Sequence, residues 1–137
     1  TSRPQACLQT ALQLLDSIKQ TNLIDTNRIY VIGFSMGAST AINALIARPH
    51  LFAAGISISG IPQLNGIDSL HQIPIWLIHG NADTENAINS DHQFYQLLKK
   101  KRHIRYWIFD RTEHNNIMCV KLLGDEIPQW LFKQSKH

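Results

Sequence analysis

The sequence predicts an α/β fold with a mainly parallel sheet of about four strands flanked by helices. Two observations carry this prediction. Short runs of β-branched and aromatic residues alternate along the chain with segments of helical periodicity. Several of the strand-like runs are apolar on both faces, which is typical of strands buried in a parallel sheet.

The first elements are a helix, a strand and a second helix. Residues 4–21 predict an amphipathic helix, with Pro4 in its first turn, because apolar residues recur every three or four positions. These are Leu8, Ala11, Leu12, Leu15 and Ile18. Residues 28–34 read RIYVIGF and predict a buried strand. Residues 36–48 predict a helix that ends before Pro49.

Three further strands follow, predicted over residues 52–59, 74–79 and 104–109. The connection 60–73 contains glycine and proline and predicts a loop, whereas residues 89–102 predict a helix. A last helix is expected to begin at Asp125 as its cap, to tolerate Pro128 in an early turn and to pack inward through three apolar residues. These are Ile127, Trp130 and Leu131.

Composition predicts one soluble globular domain over residues 1–137. The chain is 44% hydrophobic and 17% charged, and no apolar run approaches the ~20 residues of a membrane span. The first ten residues lack the layout of a signal peptide. Because the chain starts on Thr1 and directly on a helix, we expect further sequence upstream, and localisation stays open.

The net charge of +3 arises largely from Lys99, Lys100, Lys101 and Arg102. Cations favour the last turn of a helix, so this run predicts a solvated helix end and no nucleic-acid site. Cys7 and Cys119 match no metal or redox spacing and are predicted to be buried free thiols. The histidines have no metal-ligand spacing, and phosphate-binding glycine motifs are absent, so neither a metal nor a cofactor is expected.

Residues 33–37 read Gly-Phe-Ser-Met-Gly, a G-x-S-x-G pentapeptide between a predicted strand and a helix. This is the context of a nucleophile elbow, in which a serine occupies a strained turn with its hydroxyl exposed. We expect Gly33 and Gly37 to remove side chains that would collide there. A serine in this position requires a histidine base and an acid that orients it.

Asp83 and His114 follow Ser35 in the order that such a triad requires, each just after a predicted strand. The carboxyl ends of parallel strands meet at one sheet edge, so the three side chains are expected to converge. Asp110 is an alternative acid near His114. His79 ends a strand beside this site and is expected to brace the acid loop by hydrogen bonding.

Four segments together resemble the α/β-hydrolases, in particular compact esterases and predicted peptidases related to dienelactone hydrolases and polyhydroxyalkanoate depolymerases. They are RIYVIGFSMGAS (28–39), RPHLFAAGISISG (48–60), IPIWLIHGNAD (73–83) and FDRTEHN (109–115). The resemblance implies that Ser35 is the nucleophile, Asp83 the acid and His114 the base, and that the amide of Met36 is an oxyanion donor.

The sequence departs from this family pattern at two places. The loop after the acid often carries a valine and a proline, where this chain has Asn86 and Ala87, and Thr112 and Glu113 replace the usual glycine before His114. These departures predict a different entry into the following helix and a different presentation of the histidine ring.

The resemblance also implies that the chain is the C-terminal half of such a domain. A second oxyanion donor would then come from a loop upstream of Thr1, and its loss costs ~10²–10³ in rate, so the isolated chain is expected to be weakly active or inactive. The strand 28–34 would lack one neighbour, and a bare apolar edge favours self-association.

Three functions remain open from the sequence. The leading hypothesis is a serine hydrolase that cleaves a carboxylic ester through an acyl-enzyme, with a small-molecule ester as its partner. A serine peptidase of the same fold is the first alternative, because esters and amides share a tetrahedral intermediate. The second is a non-catalytic hydrolase-like domain that acts by association.

Overall fold

The computed structural model describes residues 3–21, 23–101 and 103–136. Within them, four parallel strands form a sheet in the order β1-β2-β3-β4. The strands are β1 (Tyr30–Phe34), β2 (Ala54–Ile58), β3 (Ile75–Gly80) and β4 (Ile104–Phe109), and the helices are α1 (Arg3–Thr21), α2 (Met36–Ala47), α3 (Asn89–Leu98) and α4 (Lys121–Leu131). The predicted fold class is confirmed.

The core has two parts, one on each face of the sheet. Successive side chains of a strand point to opposite faces, so Leu77 of β3 joins one cluster with Leu45 and Phe94. Trp76 joins the other cluster, together with apolar residues of α4. Every residue of β2 and β3 is buried, as predicted for interior strands of a parallel sheet.

The prediction of a fully buried strand is wrong for β1, which lies at a sheet edge and pairs only with β2 among the described residues. Ile32 in its centre is 48% exposed. An apolar groove of about 790 Å³ runs between α1, β1 and α2. The bare edge predicted for this strand is therefore present.

Helix α1 covers this edge only in part. Leu8, Leu12 and Leu15 pack against the core, whereas Ala11 and Ile18 of the same apolar stripe are exposed. Cys7 and Cys119 are both exposed free thiols, so their predicted burial is wrong. Cys7 is exposed because it borders the open groove beside α1.

Helix α4 begins earlier than predicted. It begins at Lys121, after Val120, and Asp125 lies inside it and caps nothing at its start. Pro128 lies inside the helix, and the three predicted inward residues do pack against the core. The prediction erred because the Asp-Pro spacing imitates a helix start.

The remaining differences concern segment ends. The predicted loop 60–73 contains a 3₁₀ turn, Ile67–Leu70. Helix α3 ends at Leu98 and a 3₁₀ turn, Lys99–Lys101, follows, so most of the basic run lies just past the helix; Arg102 is outside the described residues.

Among the described residues, no helix is both long and apolar enough to cross a membrane.

Candidate active site

Ser35 occupies the turn between β1 and α2 with a backbone conformation that non-glycine residues rarely adopt, φ 55° and ψ −121°. Its N–H donates to the carbonyl of Ile58 at 2.8 Å, which ties the turn to the neighbouring strand. Side-chain atoms added at Gly33 would lie 2.1 Å from the carbonyl oxygen of Gly37. Only glycine at position 33 therefore permits this turn.

The expectation that Gly37 also avoids a collision is wrong. A Cβ at this position would meet no atom within 4 Å among the described residues, because Gly37 borders the open groove beside α1. The turn instead requires that the backbone of Gly37 lie close to Gly33.

The structure brings Ser35, His114 and Asp83 together. Nε2 of His114 lies 2.8 Å from Oγ of Ser35, and Nδ1 of the same ring lies 2.7 Å from Oδ2 of Asp83. The side chain of Asp83 is fully buried and that of His114 is 5% exposed. A hydroxyl, an imidazole and a carboxylate thus form one continuous hydrogen-bonded chain at the carboxyl edge of the sheet.

Two loops present the acid and the base, and they touch each other. Asp83 follows β3 and His114 follows β4, and the N–H of Ala82 donates to the carbonyl of Thr112 at 3.2 Å. A Cβ at Gly80 would lie 2.0 Å from that same carbonyl oxygen. Gly80 is therefore a structural requirement of the site that the sequence analysis did not single out.

Asp83 is held as a carboxylate. Its Oδ1 accepts the N–H groups of Glu85 at 2.9 Å and of Asn86 at 2.8 Å. Burial alone would raise the pKa of Asp83, but these two bonds and the bond from His114 lower it below the ordinary value. The acid therefore stays ionised beside the imidazole.

Asp110, the alternative acid, has other partners. It accepts a hydrogen bond from the side chain of Asn81 at 2.9 Å and pairs with Arg111 at 3.1 Å. Its side chain is 72% exposed. This geometry favours Asp83 over Asp110 as the residue that orients His114.

Asn86 stands where the family pattern often has valine, and it links three segments. Its N–H donates to Asp83, its side-chain amide donates to the carbonyl of Ser59 at 2.7 Å, and its own carbonyl faces Nε2 of His79 at 3.0 Å. His79 thus contacts the acid loop, as expected. The departure at Asn86 was visible in the sequence, whereas the involvement of Asp91 was not. The carboxyl of Asp91 contacts the other nitrogen of His79 at 2.7 Å.

Apolar residues flank the triad. Met36, which follows Ser35, is 75% exposed, and the ring of Phe34 lies 5.0 Å from that of His114, centroid to centroid. Met36 is the first residue of α2, where backbone N–H groups have no helical carbonyl to bond and point out of the helix. Among the described residues, no cluster of three potential metal ligands exists.

The fold and this arrangement of side chains define an α/β-hydrolase, which confirms the resemblance seen in the sequence. The profile of the phospholipase/carboxylesterase family matches residues 4–119. The chain belongs to that family and has the α/β-hydrolase fold.

Individual relatives agree with this assignment. A bifunctional acetylxylan esterase/xylanase from Neocallimastix patriciarum is 32% identical over 75 residues, which cover 55% of this chain and 11% of that protein. The crystal structure of a thermostable esterase superposes with a TM-score of 0.88 at 25% identity, over 96% of this chain and 37% of the other. The chain thus spans well under half the length of these two relatives.

Two structures from Pyrococcus share the fold. An esterase from Pyrococcus furiosus has a TM-score of 0.80 at 20% identity, over 94% of this chain and 62% of its own. An acylaminoacyl peptidase from Pyrococcus horikoshii has a TM-score of 0.69 at 20% identity, over 82% of this chain and 24% of its own. At these identities the likeness concerns the fold alone.

Proposed function

We propose that the chain carries the catalytic triad of a serine hydrolase that cleaves a carboxylic ester through an acyl-enzyme. Ser35 is the nucleophile, His114 the general base and Asp83 the acid that orients it. The observation that carries the proposal is the chain of two hydrogen bonds, 2.8 Å from Ser35 to His114 and 2.7 Å from His114 to Asp83.

In the first step, Nε2 of His114 accepts the proton of Ser35 while Oγ forms a bond to the ester carbonyl carbon. The carbonyl oxygen becomes an oxyanion, which the N–H of Met36 stabilises. The intermediate then collapses: the bond to the alkoxide leaving group breaks, and His114 gives that oxygen its proton. The acyl group remains on Ser35.

In the second step, a water molecule gives a proton to His114 and attacks the acyl carbon. The bond to Oγ breaks, Ser35 recovers the proton from His114, and the carboxylic acid leaves. Asp83 stays ionised throughout and stabilises the imidazolium that forms twice. Its lowered pKa supports this role.

Met36 is the one oxyanion donor that we assign on this chain. Because removal of one oxyanion donor from such a site typically costs ~10²–10³ in kcat, we expect slow turnover from a site with a single donor. We therefore test the chemistry with activated substrates.

The test compares hydrolysis of p-nitrophenyl acetate with that of the matched amide, 4-nitroacetanilide. We expect an initial burst of nitrophenol equal to the enzyme concentration and ester turnover well above amide turnover. Ser35→Ala should reduce hydrolysis to the uncatalysed background, since loss of a triad serine costs on the order of 10⁶ in kcat. Ser17→Ala is the matched control, because Ser17 is exposed on α1 and its hydroxyl donates to the carbonyl of Gln13 in the same helix.

Each contrary result identifies an alternative. Amide turnover as fast as ester turnover would indicate a peptidase. A folded chain without burst or turnover would contradict the proposal and favour a non-catalytic domain. An unchanged rate in Ser35→Ala would contradict it by showing that the hydrolysis does not use Ser35.

A further inference from the structure

A buried pair, His79 and Asp91, contacts the acid of the site. His79 lies on β3 and Asp91 in the first turn of α3, and neither side chain is exposed. Nε2 of His79 lies 3.2 Å from Oδ2 of Asp83, the same oxygen that His114 contacts at 2.7 Å. Two imidazole rings therefore share one carboxylate oxygen.

The contacts of His79 fix the number of protons in this pair. Nε2 lies 3.0 Å from the carbonyl oxygen of Asn86, which can only accept, so Nε2 carries a hydrogen. Nδ1 lies 2.7 Å from Oδ2 of Asp91, a distance at which two lone pairs would repel, so a second proton lies between them. The pair is either an imidazolium with a carboxylate or an imidazole with a carboxylic acid, and it is neutral overall in both forms.

The surroundings favour retention of both protons. Burial raises the pKa of Asp91 above its ordinary value despite the nearby His79. Burial alone would lower the pKa of His79, but the hydrogen bond and charge of Asp91, with contributions from Asn86 and Asp83, raise it. Oδ1 of Asp91 is buried without a hydrogen-bond partner among the described residues, which further disfavours an ionised carboxyl group.

We propose that His79 and Asp91 are positioning residues for Asp83: Asp91 locks a hydrogen onto Nε2 of His79, and this N–H, which donates to the carbonyl of Asn86 and lies beside Oδ2 of Asp83, holds the acid loop against His114. The inference rests on the proposed function, in which Asp83 orients the base. Nε2 of His79 lies 3.2 Å from Oδ2 of Asp83, so the positive end of its N–H offsets part of the negative charge of that carboxylate. The pair thus sets both the position and the effective charge of the acid that orients the base.

Other titratable groups lie near His114 and Asp91, and the variants of the His79–Asp91 pair leave these groups unsubstituted. Oε2 of Glu85 lies 3.8 Å from Nε2 of His114, on a side chain that is 61% exposed. His92 on α3 acts on Asp91 through its charge. Tyr106 on β4 has a buried hydroxyl, and burial together with the charge of Asp91 raises its pKa. A change in pH dependence is therefore assigned by comparing variants of the pair and leaving these groups intact.

The test uses two variants of this chain with p-nitrophenyl acetate as the probe ester. His79→Leu/Asp91→Leu removes the donor and leaves no unpaired charge, a replacement that buried ion pairs often tolerate. We expect a loss of about 10- to 100-fold in kcat, the range found when partners behind a functional ligand are removed, with KM little changed. The acid limb of the pH profile of kcat/KM should move up by roughly 0.5–1 pH unit.

Asp91→Asn is the matched control. Its amide donates to Nδ1 of His79 and so keeps the hydrogen on Nε2, and its kcat and acid limb should lie closer to those of the wild type than to those of the double variant. A merely structural pair would lower stability in the variants without moving the acid limb.

Nuclear magnetic resonance of histidine labelled with ¹⁵N separates this inference from the proposed function. In the wild type, Nε2 of His79 should stay protonated between about pH 5 and 9, whereas a free histidine changes its charge within that range. The resonance of the hydrogen between Nδ1 of His114 and Asp83 should shift in the double variant. If the wild type hydrolyses no ester but this resonance shifts, the proposed function fails and the inference stands.

A folded double variant in which this resonance stays at its wild-type position would overturn the inference. If the double variant does not fold, the wild type decides: loss of the Nε2 hydrogen within that pH range would overturn it, and retention would support it.

Discussion

The two ends of the triad lie in very different surroundings. Asp83 follows β3, whose residues are all buried. Its carboxylate oxygens accept hydrogen bonds from His114 and from two backbone amides, and Nε2 of His79 lies 3.2 Å away. Ser35 follows β1, an edge strand beside an open apolar groove. The acid thus follows a buried interior strand, whereas the nucleophile follows an edge strand.

The difference between the surroundings of Asp83 and Ser35 predicts which substitutions should alter catalysis and which should alter association. Substitutions near Asp83 meet a packed, buried environment and should alter catalysis directly. Substitutions along α1 and the outer side of β1 should alter association more than chemistry. Three predictions test this contrast, in order of decreasing effect.

The largest effect should come from Asp83→Asn. The amide cannot stabilise the imidazolium and favours the wrong tautomer of His114, so kcat for p-nitrophenyl acetate should fall by about 10⁴. Asp110→Asn is the matched control, since Asp110 is exposed and bonded elsewhere, and it should change kcat by no more than a few-fold. A larger loss in Asp110→Asn than in Asp83→Asn would reverse the assignment of the acid.

The second effect concerns stability. Leu45 is fully buried beneath β2, and Leu45→Ala should lower the free energy of unfolding by about 2–5 kcal/mol. Leu14 on α1 is 61% exposed, and Leu14→Ala should change it by no more than about 0.5 kcal/mol. Urea denaturation of both variants measures this difference, and equal losses would contradict the contrast between core and edge.

The smallest effect concerns the edge itself. We propose that β1 and its groove mediate self-association of this chain, because an exposed apolar edge strand offers unpaired backbone groups to a second copy. Ile32→Lys should shift the sedimentation of the chain toward monomer and leave the triad geometry intact. A chain that is already monomeric at working concentration would disprove this proposal.

Much of the fold followed from local pattern. The order of strands and helices was predictable because apolar runs mark β3 and α2. The Gly-Phe-Ser-Met-Gly turn marks the boundary between β1 and α2. The exposure of β1 was harder to judge, since a run such as YVIGF has the same composition at an edge as in the interior. The start of α4 was missed because Asp125 and Pro128 imitate a helix start.

Some residues of the candidate site were predictable from the sequence and others were not. Ser35, Asp83 and His114 could be named from their spacing after strands, and the structure brings the three together. Gly80 and Asp91 could not, because their importance comes from contacts across the sequence: Gly80 against Thr112, and Asp91 against His79. An aspartate in the first turn of a helix ordinarily indicates only a favourable charge at that helix end.

The most direct test of the central claim is covalent labelling of the folded chain with a fluorophosphonate probe, followed by mass spectrometry to locate the adduct. The account predicts an adduct on Ser35 that forms in the wild type and is lost in Ser35→Ala and strongly reduced in His114→Ala. An adduct on another residue, labelling that does not need His114, or no labelling of the folded wild type would contradict it.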